Sequence, residues 1–415
     1  MRGIYTYKIT LSNTASTATP PNLQVRLNIN FASLVSNINA DLGNIRFSSD
    51  QAGNNLLYAW LESAPQGTFT QGSSVSSYTS SNVWVNLGNN IIPANGLLTI
   101  YMQILSSGTE FDGIYWGANP LWTSTYGQYD NGANVFPYYQ RWGGLSSLPS
   151  NWGEVSGTVV TFASTYTEVA PAPSTGGWYG IYLNPIPSSL SSTTTLWEFY
   201  GNMYNNVNAN SGVGTSEGSV GNYYGYLFAE GFSESLIYLG NNGTYSASTG
   251  YSDTNTNKVY TMEMNSATSL SMLINYTSIY STATATSESP IYFNFSVSNN
   301  GGSIPCPPQY IYWLRARTYP PNGTDPVLTS VQILFVGNYA TASIPVPDWK
   351  ILKGKPYVTV SAKGISNGLS NIPNDGADFG PDTPGTQTYG VKEAYQYAIA
   401  NGIFHIKLNT GTYLL

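Results

Sequence analysis

The chain has 415 residues, and only 8% of them are charged, against about 25% in an average soluble protein. Hydrophobic residues make up 41% and aromatic residues 14%, so the chain can bury a sizeable core and is not a disordered protein. The formal net charge is −7 with no basic run, which argues against nucleic-acid binding. The single histidine, His405, excludes a histidine-rich metal site, and the single cysteine, Cys306, excludes an intramolecular disulfide.

The surface must be built from Ser, Thr, Asn, Gly and many of the 34 Tyr residues. Such hydroxyl, amide and phenol groups can pair with sugars or with a neighbouring subunit. This composition predicts a virion or cell exterior, with a compositional habit of the source organism as the alternative. No stretch approaches the roughly 20 apolar residues of a membrane span. No signal peptide is visible, and we expect export by assembly into a particle rather than loss of a signal with the flanking sequence.

Residues 1–110 are predicted to form an antiparallel β-sandwich. Residues 23–31 alternate strictly between apolar and polar side chains, which is typical of a half-buried strand. Segments rich in Gly, Asn, Ser and Pro separate the other predicted strands, at residues 4–11, 45–47, 56–61, 80–87 and 96–105.

Six motifs follow one another in this first region: YKITLSN, NLQVRLNINF, DLGNIRFSSD, LLYAWLES, NVWVNL and LLTIYMQI. Their order resembles the DUF2341 family of β-sandwich modules from archaeal and bacterial surface proteins. The connector sequence DGIYWGANP…YGQYDNGANVFPYY extends this resemblance over residues 1–145. The resemblance implies an extracellular module, often beside carbohydrate-binding domains, with no known catalytic residues.

Residues 111–145 have neither a helical period nor clean alternation, yet they are unusually aromatic. Large rings are buried wherever there is something to bury them against. The segment is therefore predicted to be a packed connector that clamps two β-domains and that lies at a subunit interface in an oligomer. Its connector and interface residues are Tyr115, Trp116, Trp122, Tyr126, Tyr129, Phe136, Tyr138, Tyr139 and Trp142.

Residues 146–343 contain about nine further predicted strands, which indicate a larger sandwich or jelly roll. Three motifs occur in order: TMEMNSATSLSMLINY, IYFNFSVSN and YIYWLRARTYPPNGTDP. They are similar to the concanavalin A-like sandwiches that follow DUF2341 modules in archaeal proteins. This resemblance implies glycan binding, and the glycoside hydrolases among such folds use a pair of carboxylates on one strand.

No such carboxylate pair is visible in the sequence. Glutamates are scattered through the second region, at Glu198, Glu230, Glu234, Glu263 and Glu288. Only Glu263 lies on an alternating strand, and it has no acidic partner two residues away. Glycoside hydrolysis needs two carboxylates about 5–10 Å apart. We therefore expect a protein that is not an enzyme, with no catalytic residues, no cofactor and no metal site.

Four Asn-X-Ser/Thr sequons are candidate glycosylation sites in a protein that matures outside a cell. Such sequons are also expected by chance in a chain so rich in Asn, Ser and Thr. They begin at Asn242, Asn275, Asn294 and Asn322.

Residues 344–415 are predicted to be a linker followed by a short α+β segment. A strand is expected at residues 357–361 and another at 403–408, with a helix between them. The helix is expected to begin after Thr388, to bury Val391, Ala394, Ala398 and Ile399, and to expose Lys392, Glu393 and Tyr397.

The tail sequence NDGADFGPDTPGTQTYGVKEAYQYAIANG…IKLNTGTYLL resembles the opening turn of a right-handed parallel β-helix of the pectate-lyase type. In that fold the helix caps the N-terminal end of the coil. One rung cannot bury a β-helix core, so either the chain continues or the cap serves another purpose. Asp375, Asp378 and Asp382 could hold Ca²⁺, but turn formation beside Gly and Pro is the simpler explanation.

The sequence thus predicts an all-β protein of two consecutive antiparallel sandwiches followed by a β-helix cap. The first hypothesis is a structural and host-attachment protein similar to tail or fibre proteins of archaeal spindle-shaped viruses. It would lie at the virion surface as a closed homo-oligomer, with other virion proteins and host glycans as its candidate partners. The alternatives are an archaeal cell-surface glycoprotein or filament subunit that contacts surface-layer proteins, and the non-catalytic part of a secreted polysaccharide-active enzyme.

Overall fold

A computed structural model describes residues 5–172, 177–187, 190, 195–203, 209–216, 226–231, 236–241, 244–252, 256–266, 269–282, 292–299, 308–334, 357–362, 377–381, 383, 390–400 and 406–409. The chain divides into two compact units, Met1–Phe335 and Val336–Leu415, and each is described by itself. His405, Cys306, Asn242 and Thr388 lie outside the described residues, as do Glu234, Glu288, Asp375 and Asp382.

The N-terminal part of the first unit contributes eight described strands and two short 3₁₀ turns, at Phe31–Ser33 and Val75–Ser77. The strands are β1 (Tyr5–Ser12), β2 (Gln24–Ile29), β3 (Ile45–Ser48), β4 (Leu56–Leu57), β5 (Ala59–Ser63), β6 (Ser81–Asn86), β7 (Leu97–Ile104) and β8 (Trp116–Ala118).

The connector and the second β-region contribute the helical turn α1 (Gly132–Val135), a 3₁₀ turn at Pro321–Gly323 and most of the remaining strands. The strands are β9 (Tyr138–Arg141), β10 (Trp152–Glu154), β11 (Thr158–Phe162), β12 (Thr167–Pro171), β13 (Gly177–Leu183), β14 (Thr195–Asn202), β15 (Ala209–Ser216), β16 (Tyr226–Gly231), β17 (Leu236–Asn241), β18 (Thr244–Ser252), β19 (Lys258–Ser266), β20 (Ser269–Ile274), β21 (Thr277–Thr282), β22 (Tyr292–Asn299), β23 (Gln309–Arg317) and β24 (Val327–Leu334).

The first sandwich consists of a five-stranded sheet, ordered β24-β1-β7-β3-β4, and a four-stranded sheet, ordered β2-β6-β5-β8. The apolar side of β2 is buried as predicted, at Val25, Leu27 and Ile29. On the polar side Asn28 is exposed, Arg26 is half-buried and Gln24 is buried. Antiparallel pairing sets Ile9 of β1 opposite Ile100 of β7, and both side chains enter the core between the two sheets.

The last strand of the first sandwich comes from the far end of the unit. β24 pairs antiparallel with β1, from Thr6 opposite Leu334 to Ser12 opposite Val327. The predicted second domain, residues 146–343, differs from the structure here, because residues 327–334 complete the sheet of the first sandwich. Leu328 and Val331 of β24 pack against the first core, and this apolar contact explains the return of the chain.

The second sandwich pairs a seven-stranded sheet, ordered β10-β13-β22-β15-β16-β17-β18, with an eight-stranded sheet. The latter is ordered β11-β12-β23-β14-β19-β20-β21, with β9 also paired to β23. Its core is aromatic and includes Trp142, Trp197, Phe199, Phe293 and Phe295. The structure confirms the all-β class, and the described strand pairs of both sandwiches are antiparallel except for β5 and β8, which pair in parallel.

The second unit contains β25 (Val358–Val360), α2 (Val391–Ala400) and β26 (Ile406–Leu408), with β25 and β26 paired in parallel. Ala394 and Ala398 are buried as predicted, but Ile399 is exposed and Tyr397 instead packs towards Phe379. Residue 399 lies 100° around the helix from 398, which takes it off the packed face. The β-helix cap stays a prediction.

No described helix is long and apolar enough to cross a membrane. Among the described side chains, no group of three or more His, Cys, Asp or Glu is arranged to hold a metal ion. Asp378 of the proposed calcium loop is buried, and its Oδ2 accepts hydrogen bonds from the backbone N–H and the hydroxyl of Thr359, each at 2.8 Å.

Candidate functional site: the buried junction between the sandwiches

Charged side chains from both sandwiches meet in a buried cluster, which we call the junction. It consists of Glu62 of β5, Glu198 of β14, and Arg315 and Arg317 of β23. Successive side chains of a strand point to opposite faces. Because Trp197 and Phe199 enter the second core, Glu198 between them must face away from it, towards the first sandwich. On β23, Leu314 and Ala316 also enter the second core. Arg315 and Arg317 alternate with them along the strand, so both arginines face the first sandwich as well.

The ion pairs of the junction are short and link both sandwiches. Arg315 contacts Glu62 from Nη2 to Oε2 at 2.8 Å and Glu198 from Nε to Oε2 at 2.7 Å. Nε of Arg317 lies 3.0 Å from the other oxygen of Glu198, and its Nη1 lies 3.3 Å from Oδ1 of Asp325. Arg315 and Glu198 are 0% exposed and Glu62 is 1% exposed, so water does not screen the pairs that Arg315 makes, whereas the Asp325 side chain is 40% exposed.

Neutral groups complete the hydrogen bonding of Glu62. Nε1 of Trp84 donates to Oε2 at 2.8 Å, and Nδ2 of Asn82 donates to Oε1 at 3.3 Å. The hydroxyl of Tyr276, from the second sandwich, also donates to Glu62 and accepts from Nη2 of Arg315 at 2.7 Å. A buried carboxylate is tolerated only when its oxygens are paired in this way.

Aromatic rings enclose the Arg315 guanidinium. Its central carbon lies 4.5 Å from the ring centre of Trp84, 4.6 Å from those of Phe136 and Trp313, and 5.3 Å from that of Trp60. A cation over desolvated aromatic faces is stabilised electrostatically. The rings come from the first sandwich, the connector and the second sandwich, so the cage exists only when all three are assembled.

The charges of the junction shift one another's pKa values. Burial raises the pKa of Glu198, but Arg317 and Arg315 outweigh burial and hold that pKa below its usual value. Burial lowers the pKa of Arg315, while Tyr276, Glu198 and Glu62 raise it, and the net shift is upward. Glu198 and Arg315 are therefore held in their ionised forms.

Glu263 of β19 lies near the junction but in a different environment. Burial raises its pKa to about 7, with Arg317 opposing the shift and Asp325 and Glu198 adding to it. Glu263 faces Leu196 of β14 in the ladder, so it is a diagonal neighbour of Glu198 on the same face. Two carboxylates with separated pKa values can serve acid–base chemistry. Here both oxygens of Glu198 are already bound by arginines inside the protein.

The predicted connector residues divide among three clusters. Trp116 and Trp122 belong to the first core, and Trp142 with the half-buried Tyr138 to the second. Phe136 and Tyr139 lie in the aromatic cluster of the junction, where Phe136 packs edge-on against Trp60 at 5.6 Å. The remaining three, Tyr115, Tyr126 and Tyr129, are half-buried.

Asp130 of the connector is a half-buried carboxyl that the sequence did not single out. It accepts hydrogen bonds from Nε1 of Trp60 at 3.0 Å and from the hydroxyl of Tyr139 at 2.8 Å. Burial raises its pKa to about 6, although these hydrogen bonds and that of Gly132 oppose the shift.

The sequons that the structure describes lie in different environments. Asn275 is exposed in the β20–β21 turn, and its Oδ1 accepts from the backbone N–H of Val259 at 3.0 Å. Asn322 is also exposed, and its Nδ2 donates to Ser16 at 3.4 Å. Asn294 is 4% exposed in β22, so a glycan there would require that strand to open. Their occupancy stays a prediction.

Sequence reasoning missed Glu62 and Arg315 as partners. For two members of the junction the sequence does hold a signal, which is a charged residue between two core residues. This pattern occurs in β14, at Trp197-Glu198-Phe199, and in β23, at Leu314-Arg315-Ala316. A charged side chain there must either face solvent or be paired. Pattern alone does not tell which, since the two carboxylates lie 253 and 117 positions from Arg315.

No family model matches the chain. The chain is 27% identical over 372 residues to the uncharacterized protein 562 of Sulfolobus islandicus rod-shaped virus 1. The aligned region covers 80% of this chain and 59% of that protein. The chain thus spans about three fifths of its relative. The similarity is to a protein of an archaeal virus. That virus is rod-shaped, whereas the motifs of the sequence predict a resemblance to proteins of spindle-shaped viruses. The DUF2341 assignment stays a prediction.

Similar solved structures are β-sandwich domains. The Emp47p carbohydrate recognition domain is 9% identical, covers 44% of this chain and 95% of its own, and has a TM-score of 0.32. Bacillus licheniformis β-glucanase is 13% identical, covers 44% and 97%, and scores 0.33. The carbohydrate-binding module CBM66 of Bacillus subtilis is 12% identical, covers 40% and 96%, and scores 0.28.

Proposed function

We propose that this protein is a non-catalytic structural component of the exterior of an archaeal virus particle, where it acts in host attachment. The observation that carries the proposal is the junction. It joins two β-sandwiches through ion pairs that are buried in the chain itself, which is suited to a rigid spacer and not to a hinged enzyme cleft. The tail, or a spike or fibre on it, is the proposed location, with identical subunits arranged as a closed ring.

The similarity to an archaeal virus protein supports the viral setting. A charged fraction of 8% supports an exterior role, because hydroxyl and amide surfaces make contacts that acid does not titrate. The ion pairs of Glu198 support a role without catalysis, since this carboxylate, the neighbour of Glu263, is bound to two arginines.

Electron microscopy of purified virions labelled with a gold-conjugated antibody against this chain tests the proposal. We expect gold at the ends or the outer surface of the particles. Light scattering on the isolated chain should give the mass of a closed oligomer. Virions that lack the protein, or label that appears only after particles are opened, would contradict the proposal.

A cell-surface glycoprotein is the second candidate, and the exposed Asn275 and Asn322 favour it. Intact-mass spectrometry on the native protein separates the two. Unmodified chains agree with the virion role, whereas a monomer that carries hexose additions at these asparagines supports the glycoprotein role.

A further inference from the structure

A row of tyrosines lies on the eight-stranded sheet, on the face turned away from its core. Ile311 of β23 enters the core, while Tyr310 and Tyr312 on either side of it are half-buried on the opposite face. Tyr166, directly before β12, contacts both, with ring centres 5.1 Å from Tyr310 and 5.7 Å from Tyr312. Tyr200 extends the row towards the junction, 5.1 Å from Tyr312. Tyr166, Tyr310 and Tyr312 are half-buried, whereas Tyr200 is 8% exposed, so the accessible part of the row consists of the first three rings.

Polar groups flank these rings. Glu168 of β12 lies directly opposite Tyr310 in the ladder, and Thr161 of β11 lies opposite Glu168. Directly opposite residues of an antiparallel pair share one face. The exposed Asn257 donates from Nδ2 to the hydroxyl of Tyr312 at 3.1 Å. We call Tyr166, Glu168, Asn257, Tyr310 and Tyr312 the tyrosine face.

We propose that the tyrosine face binds a neutral polysaccharide chain. Tyrosine rings combine an apolar surface, which the C–H face of a sugar ring can cover, with a polar tip. The carboxylate of Glu168 accepts hydrogen bonds from sugar hydroxyls, and the amide of Asn257 both donates and accepts them. A row of rings across a sheet suits an extended chain better than a single sugar. Glu168 is the one charge of the face, and it disfavours acidic sugars and nucleic acid.

This site goes beyond the structural role proposed above. Polysaccharide binding is measured on the isolated chain, so it can fail while the protein is still found on virions. Conversely, binding without any association with virions would leave the tyrosine face intact and remove the viral role.

Native gel electrophoresis in gels that contain mannan, dextran or laminarin tests the proposal. We expect at least one of these polysaccharides to retard the chain. Tyr166→Ala and Tyr312→Ala should each weaken the apparent affinity about tenfold, as the loss of an aromatic contact predicts. Tyr166→Phe keeps the ring and should retain most of the binding. Tyr101→Ala, a half-buried tyrosine on β7 of the first sandwich, is the matched control and should bind as the unaltered chain does.

Asn257→Ala separates loss of binding from loss of folding, because the Asn257 side chain is exposed and its removal should not unfold the chain. It should weaken binding several-fold with an unchanged unfolding temperature. The proposal is overturned if none of the three polysaccharides retards the chain, or if Tyr101→Ala weakens binding as much as Tyr312→Ala. It is also overturned if Tyr312→Ala alters only the oligomeric state, which would make the face a protein contact.

Discussion

Arg315 is the residue whose loss should damage the junction most, because among the described side chains it alone forms ion pairs with both Glu62 and Glu198. Removal of one partner from a buried ion pair leaves an uncompensated charge, which typically costs about 3–5 kcal/mol. We therefore expect Arg315→Ala to lower the free energy of unfolding by about that amount, as measured by urea denaturation. The cage rings would lose their cation at the same time.

Lys8→Ala provides the control for Arg315→Ala. Lys8 lies half-exposed on β1, outside the junction, and its removal should change the free energy of unfolding by less than about 0.5 kcal/mol. An Arg315→Ala loss as small as that of the control would show that the junction contributes little to stability.

Glu263 and Asp130 should make the protein more stable in mild acid than at neutral pH. Folding raises the pKa of Glu263 from 4.5 to about 7 and that of Asp130 from 3.8 to about 6. An acid with a raised pKa binds its proton more tightly in the folded state, so stability falls as pH rises from the unfolded pKa to the folded one. For Glu263 this window is pH 4.5 to 7, and the loss is about 2 kcal/mol after allowance for partial exposure.

Urea unfolding at pH 5 and pH 7.5 measures this effect. Glu263→Gln should remove most of the pH dependence above pH 5 and should stabilise the protein at pH 7.5. Glu154→Gln, at an exposed position on β10, is the matched control for a glutamate outside the junction. Glu198 acts in the opposite sense, because its pKa is lowered on folding, and its contribution is lost only at more acidic pH. A Glu263→Gln variant with the full pH dependence would exclude this carboxyl as the source.

At the scale of elements, β8 is positioned by a close approach at Gly117. β8 pairs in parallel with β5, which sets Gly117 beside Trp60 of the junction cluster. A Cβ at this glycine would overlap the carbonyl oxygen of Tyr129 and Oδ1 of Asn131 in the connector. We expect Gly117→Ala to cost about 2–3 kcal/mol, in the range of overpacked sites.

Thermal unfolding compares this change with Gly108→Ala, where an added Cβ has no atom within 4 Å. Gly108→Ala should be close to neutral. Equal unfolding temperatures for the two variants would show that the connector can move away from an added Cβ at Gly117. The close approach at Gly117 would then not be what positions β8.

The strands show which part of the fold sequence can predict. β2 was predictable because one face is buried and the other is wet, which produces alternation. β15 and β18 are harder to predict, because their sequences, ANSGVGTS and TYSASTGYS, consist largely of small polar residues and show no such alternation. β24 is apolar, but its return to β1 across more than 300 residues is set by tertiary packing and not by local pattern.

The candidate site was predictable only in part, for the same reason. The connector was recognised from its aromatic density, and Phe136 and Tyr139 do lie at the junction. The ion pairs were not foreseen, because Glu62 and Arg315 belong to different sandwiches and their pairing depends on how the sandwiches dock. Local sequence carries no record of that docking.

At the scale of the whole first unit, the junction should couple the two sandwiches into one cooperative transition. Ile100→Ala, in the first core, should lower the free energy of unfolding by about 2–5 kcal/mol. If the sandwiches are coupled, hydrogen exchange at β22, in the second sandwich, should accelerate to the same extent.

In the double variant Glu62→Gln, Arg315→Met, Glu198 keeps its pair with Arg317, and the effect of Ile100→Ala should be confined to the first sandwich. Unchanged exchange at β22 in Ile100→Ala alone would show that the sandwiches unfold independently, and the junction would then be a contact and not a coupling.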